Sequence, residues 1–134
     1  MLTAHKVQSD ILALLAGSEL SSNVSGKVYR RGYRPRDSRD EDIVVTFLSG
    51  MATQVERGAV TLNIYVPDIT DNNGVYVEDG QRTSQIEELA ARWVKSLPPR
   101  INYKFSLLRT ISTDHDEAAR QHYVTVQLEY VYKS

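Results

Sequence analysis

Alternating apolar residues in three segments place the strongest limit on what this chain can fold into. Apolar side chains occupy nearly every second position in the segments 59–66, 101–111 and 124–132. A period of two is typical of a β-strand that buries one face and exposes the other. A sheet with one apolar face needs a second layer to cover it, and strands joined by short connections pair antiparallel. The alternation therefore predicts a mostly antiparallel sheet covered on one face by helices.

Two segments have the 3.6-residue periodicity of amphipathic helices. Residues 3–16 form the first, with Thr3 as its cap and Gly17 at its end. The second is predicted to begin at the capping box Ser84–Glu87, in which a hydroxyl and a carboxylate bind free backbone N–H groups, and to stop at Pro98-Pro99. The apolar stripe of this second helix contains Ile86, Leu89, Ala90, Trp93, Val94 and Leu97.

The remaining segments complete a single domain, residues 1–134. A short strand is predicted at 26–31, and Ile43–Leu48 has apolar residues on both faces, as a covered central strand needs. A turn or bend is expected at Ser49-Gly50 and a turn at Asp114–Ala118, and residues 67–81 are predicted to form a polar surface loop. The predicted class is α+β: a two-layer fold with two helices on one face of a mostly antiparallel sheet of about five strands, in the order α-β-β-β-α-β-β.

Composition limits the partners and the chemistry. The formal net charge is −1, so no overall field draws the chain to nucleic acid or to a membrane surface. The absence of cysteine excludes disulfides, thiolate metal sites and cysteine nucleophiles. The uncharged apolar run at 11–16 is shorter than the roughly 7–15 residues of a secretory signal, and no segment is long enough to cross a bilayer. We therefore expect no signal peptide and no membrane partner.

One loop has an unusual charge pattern. Residues 30–42, here called the charged arm, contain five of the sixteen Lys and Arg residues and then become acidic, and Pro35 disfavours sheet pairing. A loop or a protruding arm is expected. Three interpretations remain open: a subunit interface in which unlike charges fix the register, a solvated loop whose charges compensate one another, and a nucleic-acid site in which guanidinium groups bind phosphates and Tyr33 stacks on a base. The candidate interface residues are Arg30, Arg31, Tyr33, Arg34, Arg36, Arg39, Asp40 and Asp42.

Metal binding and catalysis have weaker support in the sequence. Asp114–Glu117, with His122 nearby, has the residue types of a metal site, and a small metal-dependent hydrolase around His115 and His122 is one hypothesis. Consecutive residues converge poorly on one ion, however, so a polar turn is the preferred interpretation. The acidic loop 67–81 lacks the spacing of a calcium loop, and the chain has no nucleophile elbow, zinc-protease motif or nucleotide-binding loop. We expect no enzymatic activity, no cofactor and no metal.

The order of elements resembles that of the small tail-completion, or tail-terminator, proteins of tailed bacteriophages and prophages. The resemblance covers most of the chain and rests on the order of the elements, the length of the chain and the general pattern of apolar and polar residues. The matching segments are a first helix around Ile11–Leu15, a short strand at Lys27–Tyr29 that leads into the charged arm, a strand pair at Ile43–Leu48 and Ala59–Val66, a helix at Thr83–Leu97, and two closing strands.

This resemblance implies a structural role. Proteins of the family assemble into a ring, commonly a hexamer, at the head-proximal end of the tail tube, where the ring stops tail polymerisation and joins the tail to the head connector. The chain is then expected to be a non-enzymatic virion protein of the tail or neck, made in the host cytoplasm. Its expected partners are further copies of itself, tail-tube and head-connector proteins, and genome DNA that passes through the lumen without sequence-specific binding. The alternative is a small nucleic-acid-binding module that uses the Arg-rich loop 30–39.

Overall fold

The described part of the chain forms three helices and eight strands. A computed structural model of the chain describes residues 1–52, 55–97, 102–116 and 118–133. The helices are α1 (Ala4–Leu15), α2 (Glu19–Ser22) and α3 (Gly80–Ser96). The strands are β1 (Val28–Arg30), β2 (Ile43–Met51), β3 (Val55–Pro67), β4 (Ile69–Thr70), β5 (Tyr76–Val77), β6 (Tyr103–Leu107), β7 (Ser112–Asp116) and β8 (Gln121–Lys133).

Strands β1, β2, β3, β8 and β6 lie side by side in one sheet, and β7 also pairs with β8 beyond the end of β6. The pairs β2–β3, β3–β8, β6–β8 and β7–β8 are antiparallel, whereas β1 runs parallel to β2. Strands β4 and β5 form a separate two-stranded hairpin. The α+β class and the mostly antiparallel sheet are therefore confirmed.

The core lies between the helices and one face of the sheet. Alternate residues of the central strands are buried, as the period of two predicts, because in-register antiparallel partners point to the same face. The helices contribute one apolar stripe each to the same cluster. The strand residues of this core include Ile43, Val45, Val60, Leu62, Ile64, Val66, Val124, Val126, Leu128 and Tyr130, and the helix residues include Val7, Ile11, Leu15, Ile86, Leu89, Ala90 and Trp93.

Helix starts are determined by side-chain caps. The Oγ1 atom of Thr3 accepts a hydrogen bond from the N–H of Lys6 at 3.2 Å, as the sequence predicts for α1. The predicted start of α3 at Ser84 is wrong, because the Asp79 side chain caps the helix earlier, accepting from the N–H of Arg82 at 3.2 Å. Ser84 therefore lies inside α3. This helix ends at Ser96, and the predicted stop at Pro98-Pro99 lies outside the described residues.

Two predicted reversals of the chain differ in the structure. At Ser49-Gly50 the chain does not turn: a β-bulge after Phe47 bends β2, and the strand continues to Met51. The Asp114–Ala118 turn is displaced, because Asp114–Asp116 pairs with β8 and the chain reverses only after Asp116. A residue with positive φ, Arg120 at +50°, completes that reversal.

Two further segments differ from prediction in length and number. The single strand expected over 101–111 is shorter than predicted: β6 ends at Leu107, the next strand, β7, begins only at Ser112, and the first predicted residue, Ile101, lies outside the described residues. The polar loop 67–81 contains the β4–β5 hairpin, whose turn has Gly74 at a φ of +76°. The main sheet consequently has six strands instead of about five, and the short helix α2 is additional.

Candidate functional site

The charged arm is folded against the sheet around one buried carboxylate. Asp42 is 1% exposed. Its Oδ1 atom accepts a hydrogen bond from the N–H of Lys27 at 2.9 Å, and its Oδ2 atom accepts from Arg34 Nε at 2.9 Å and from Ser38 Oγ at 2.6 Å. We call these four residues the Asp42 clasp. Because the clasp connects the strand before the arm to the strand after it, the arm is a fixed loop and does not protrude.

Arg34 lies between the arm and the sheet face opposite the helices. Its guanidinium carbon is 3.9 Å from the centre of the Tyr65 ring, a cation–π geometry. Its Nη2 atom donates to Gln121 Oε1 on β8 at 3.2 Å, and the side chain is only 13% exposed. A guanidinium in this position is an internal structural group of the folded chain.

The electrostatics of the clasp favour the charged form of Asp42. Burial alone raises the pKa of this carboxyl, but hydrogen bonds from Ser38, from the Lys27 N–H and from Arg34 together lower the pKa by more than burial raises it. The net pKa lies below the ordinary value of an aspartate. The folded chain therefore binds the Asp42 proton less tightly than the unfolded chain does.

We expect the clasp to make folding stability depend on pH in the acid range. Since the folded pKa is the lower one, its contribution is complete above the unfolded pKa of about 3.9 and disappears as the pH falls through the folded pKa. Urea unfolding at several pH values between 7 and 2 measures this loss. Ser38→Ala removes one of the bonds that lower the pKa, so its acid-dependent loss should be smaller than that of the wild type. Equal losses in the two proteins would contradict this role of Ser38.

Two further arginines of the arm bind groups of their own chain. The Nη2 atom of Arg30 donates to Ser9 Oγ on α1 at 2.5 Å. Arg39 donates from Nη1 to the carbonyl oxygen of Ala119 at 2.5 Å and from Nη2 to that of Arg120 at 3.2 Å. These bonds join the arm to α1 on one side and to the turn before β8 on the other.

The other candidate interface residues are exposed. Tyr33 is 73% exposed, and Arg31, Arg36 and Asp40 are also at the surface. The sequence treats the eight candidates as one set, whereas the structure places Arg30, Arg34, Arg39 and Asp42 in intramolecular contacts. It stays a prediction that these residues make contacts between subunits. Only the exposed members of the set are accessible for such contacts.

Two exposed apolar patches were not recognised in the sequence. The first, called the β2–β3 patch, consists of Met51, Ala59 and Leu108, which line one shallow depression with Met51 66% exposed. The second, called the β4–β5 patch, consists of the exposed cross-strand pair Ile69 and Val77 with the exposed Val75. Tyr76 alternates to the other face of the hairpin, where the Arg120 guanidinium carbon lies 4.4 Å from its ring centre. Large apolar side chains at strand ends could have indicated these patches in the sequence. Whether such a side chain is exposed depends on which neighbours cover it, and the periodicity of the sequence does not show those neighbours.

The two patches lie at opposite ends of the longest strand pair. Met51 pairs with Arg57 near the start of β3, and Ile69 follows the end of β3 at Pro67. The ten residue-to-residue steps from Arg57 to Pro67 span about 34 Å at 3.4 Å per step. The chain therefore presents two apolar surfaces, made of different residues, near opposite ends of β3.

Similarity to known proteins does not indicate a function for this chain. No family model matches the chain, and a search of curated proteins gives no significant match. Within the residues that the structure describes, no helix has the length and apolar character required to span a membrane. The observations available for a functional conclusion are thus the clasped arm, its exposed basic and aromatic residues, and the two apolar patches.

Proposed function

We propose that this chain is a non-enzymatic structural subunit that forms a ring at the head-proximal end of a phage tail, terminates the tail tube and joins it to the head connector. The observation that carries the proposal is the pair of apolar patches at opposite ends of β3. The order of elements supports the phage assignment through its resemblance to tail-completion proteins.

Two unlike patches fit a head-to-tail contact. Contiguous exposed apolar surface on a small protein marks an interaction site. A twofold contact would use one self-complementary patch, whereas a head-to-tail contact needs two different surfaces and forms a ring when the rotation closes. The β2–β3 patch of one copy would bind the β4–β5 patch of the next, with Arg57 and Glu129 as the charged rim of the first patch.

The exposed part of the arm fits contacts with other virion components. Arg31, Tyr33 and Arg36 are exposed on a loop that the Asp42 clasp holds in one conformation. A fixed loop with an aromatic side chain and two cations suits binding to a connector or tail-tube protein, because little conformational entropy is lost on binding.

The nucleic-acid alternative has less support from the contacts. Arg30, Arg34 and Arg39 bind groups of their own chain, so the arm offers two remaining arginines, Arg31 and Arg36, to phosphates. Two phosphate contacts predict a weak salt dependence, with a slope of about −1.8 in log K against log salt. This behaviour is consistent with DNA that passes a lumen without being bound specifically.

The assembly prediction is tested by light scattering with negative-stain microscopy. We expect the wild-type chain to form a discrete closed oligomer with a ring shape. Met51→Asp combined with Leu108→Asp, or Ile69→Asp combined with Val77→Asp, should give folded monomers, since a charge is placed in an apolar contact. Ala13→Asp combined with Gln81→Asp is the matched control, because it adds the same charge at exposed positions outside both patches and should leave the oligomer intact.

Mixing the two patch variants distinguishes the type of contact. Each variant keeps one intact patch, so a head-to-tail interface predicts that an equimolar mixture forms a dimer of one copy of each and no ring. Homodimers of either variant alone would show a twofold contact and contradict the proposed arrangement. A wild-type chain that stays monomeric at every concentration would contradict self-assembly through these patches.

A further inference from the structure

Strand β1 leaves one edge of the main sheet without a neighbouring strand. It is the terminal strand of the sheet, and among the described residues only β2 pairs with it. The residues that flank β1 bond to β2 at 2.9 Å, Lys27 through its carbonyl oxygen and Arg31 through its N–H. Because backbone groups alternate between the two sides of a strand, those of Val28 and Arg30 point away from β2. The Arg30 carbonyl oxygen accepts from the N–H of Tyr33 at 3.1 Å, so within the described chain the outer edge keeps the N–H and C=O of Val28 and the N–H of Arg30 for a further strand.

Three cations lie close together along this edge. Lys27 and Arg31 are exposed, and Arg30 is half-buried. In the part of the chain that the structure describes, no ion pair joins any of the three to a carboxylate. The two acids that precede β2, Glu41 and Asp42, are already paired with other arginines. The positive charge of this edge is therefore not balanced by the described residues, which favours a partner with negative charge.

Two shallow depressions meet beside β1, and Arg30 and Tyr33 line both of them. One depression also contains the apolar side chains of Leu12 and Val28, whereas the other contains Arg31 and a phenylalanine ring. No carboxylate of the described residues lines either depression. A ligand that fits this surface therefore combines apolar groups with negative charge.

We propose that β1 binds an extended acidic segment of a partner protein, which adds one strand to this edge of the main sheet. Peptides bind sheet edges in this way: backbone hydrogen bonds supply affinity, and the contacts of alternate side chains supply specificity. A segment that alternates acidic and apolar residues suits both the cations and the depressions, because side chains alternate along a strand. A nucleic acid brings negative charge, but it has no peptide backbone that can continue the sheet ladder. A second β1 would place like charges opposite each other, which disfavours pairing.

The backbone of β1 is held in its strand conformation before any partner binds. Its ladder with β2 fixes the backbone, and the Arg30 side chain donates to Ser9 Oγ on α1 at 2.5 Å. This chain then loses little conformational entropy on binding. Strand β1 contains no residue of either apolar patch, so strand addition does not require ring formation, and either proposal can fail without the other.

Fluorescence anisotropy with a labelled synthetic peptide of alternating glutamate and valine tests the proposal on the full-length chain. We expect saturable binding of one peptide per chain, and weaker binding at higher salt because exposed charges are screened. A peptide with lysine in place of glutamate should not bind. The glutamate peptide with an N-methyl group on every peptide nitrogen should bind at least about tenfold more weakly, since it has no N–H to donate to the ladder. Equal affinity of the methylated peptide would contradict strand addition.

Charge reversal at the edge identifies the strand that binds the peptide. Lys27→Glu combined with Arg31→Glu should weaken binding at least about tenfold, because the new carboxylates repel the acidic peptide. Both residues are exposed, so the variant should keep the far-UV circular dichroism of the wild type. Lys95→Glu combined with Lys104→Glu is the matched control, since it makes the same change in net charge at exposed positions on α3 and β6 and should bind as the wild type does. Equal weakening in the two variants would overturn the proposal.

Two further results would assign the edge to another occupant and overturn the proposal. Tighter binding of a single-stranded oligothymidine than of the glutamate peptide would assign the edge to nucleic acid. Loss of the wild-type oligomer in the variant with Lys27→Glu and Arg31→Glu, measured by light scattering, would assign it to a second copy of the chain.

Discussion

Replacing Asp42 with alanine is expected to lower the free energy of unfolding by about 3–5 kcal/mol, the usual cost of removing one partner of a buried ion pair. The carboxylate accepts three hydrogen bonds, and the nearly buried Arg34 guanidinium faces it at 2.9 Å. Without Asp42, the guanidinium loses its counter-charge and the Lys27 N–H loses its acceptor. Both groups then retain the cost of removal from water without the interactions that offset it.

Urea unfolding at pH 7 measures this loss, with the single tryptophan, the buried Trp93, as the fluorescent probe. Asp40→Ala is the control, because Asp40 is an exposed acid of the same arm and its loss should change stability by no more than about 0.5 kcal/mol. Similar losses in the two variants would show that the effect comes from the charge of the arm and not from the clasp.

The Asp42 clasp also limits which substitutions in the charged arm can test whether the arm is an interface. A variant that removes Arg34 together with its neighbours would disturb the fold, so a loss of assembly would not identify a subunit contact. Arg31→Ala, Tyr33→Ala and Arg36→Ala alter exposed side chains and leave the clasp intact. These positions are the appropriate ones for testing the proposed contacts with other virion proteins.

The sequence predicts the sheet well because a period of two reports burial directly. Each residue such as Leu62 or Val126 alternates with a polar neighbour, and this pattern depends only on which face meets the core. The stripe of α3 from Ile86 to Trp93 is predictable for the same reason. These residues determine the α+β class without information about any particular partner.

The contacts of the candidate site join residues of this chain that are distant in sequence. Asp42 looks like any other acid of the arm, and only the fold shows that Arg34 and the Lys27 N–H converge on it. The pairing of His115 with His122 depends on register, which a shift by one residue would change. Charge and residue type therefore indicate candidate site residues. The long-range contacts of the fold then show which of these residues hold the chain together and which remain exposed.

Replacing Gly58 with alanine is expected to lower the free energy of unfolding by about 1–3 kcal/mol, the usual cost of an extra methyl group in a packed site. Gly58 pairs with Gly50 on one side and with Tyr130 on the other. A Cβ atom at this position would collide with the Ser49 carbonyl oxygen and the Tyr130 hydroxyl, and would lie 2.5 Å from Tyr130 Cε2. The backbone oxygen cannot move without disturbing the β2–β3 pairing, so the tyrosine must leave its buried position.

The same packing explains why the chain bends but does not turn at Ser49-Gly50. Glycine often marks a turn because it adopts positive φ, but neither Gly50 nor Gly58 is among the residues with positive φ in the described chain. A Cβ on Gly50 would also approach the Tyr130 hydroxyl, at 2.8 Å. The two glycines therefore leave room for one aromatic ring across a strand pair, as happens where an aromatic residue covers strand glycines.

A double-mutant cycle that combines Gly58→Ala with Tyr130→Phe separates the collision with the tyrosine from the collision with the Ser49 backbone. If the collision with the tyrosine causes the loss, then removing its hydroxyl should recover part of the stability of Gly58→Ala, with a coupling energy above about 0.5 kcal/mol. Gly80→Ala is the control: a Cβ there has open space, and the substitution should be neutral or stabilising by up to about 1 kcal/mol. Additive losses from Gly58→Ala and Tyr130→Phe would contradict the packing explanation. They would instead locate the cost of the alanine in its contact with the Ser49 backbone.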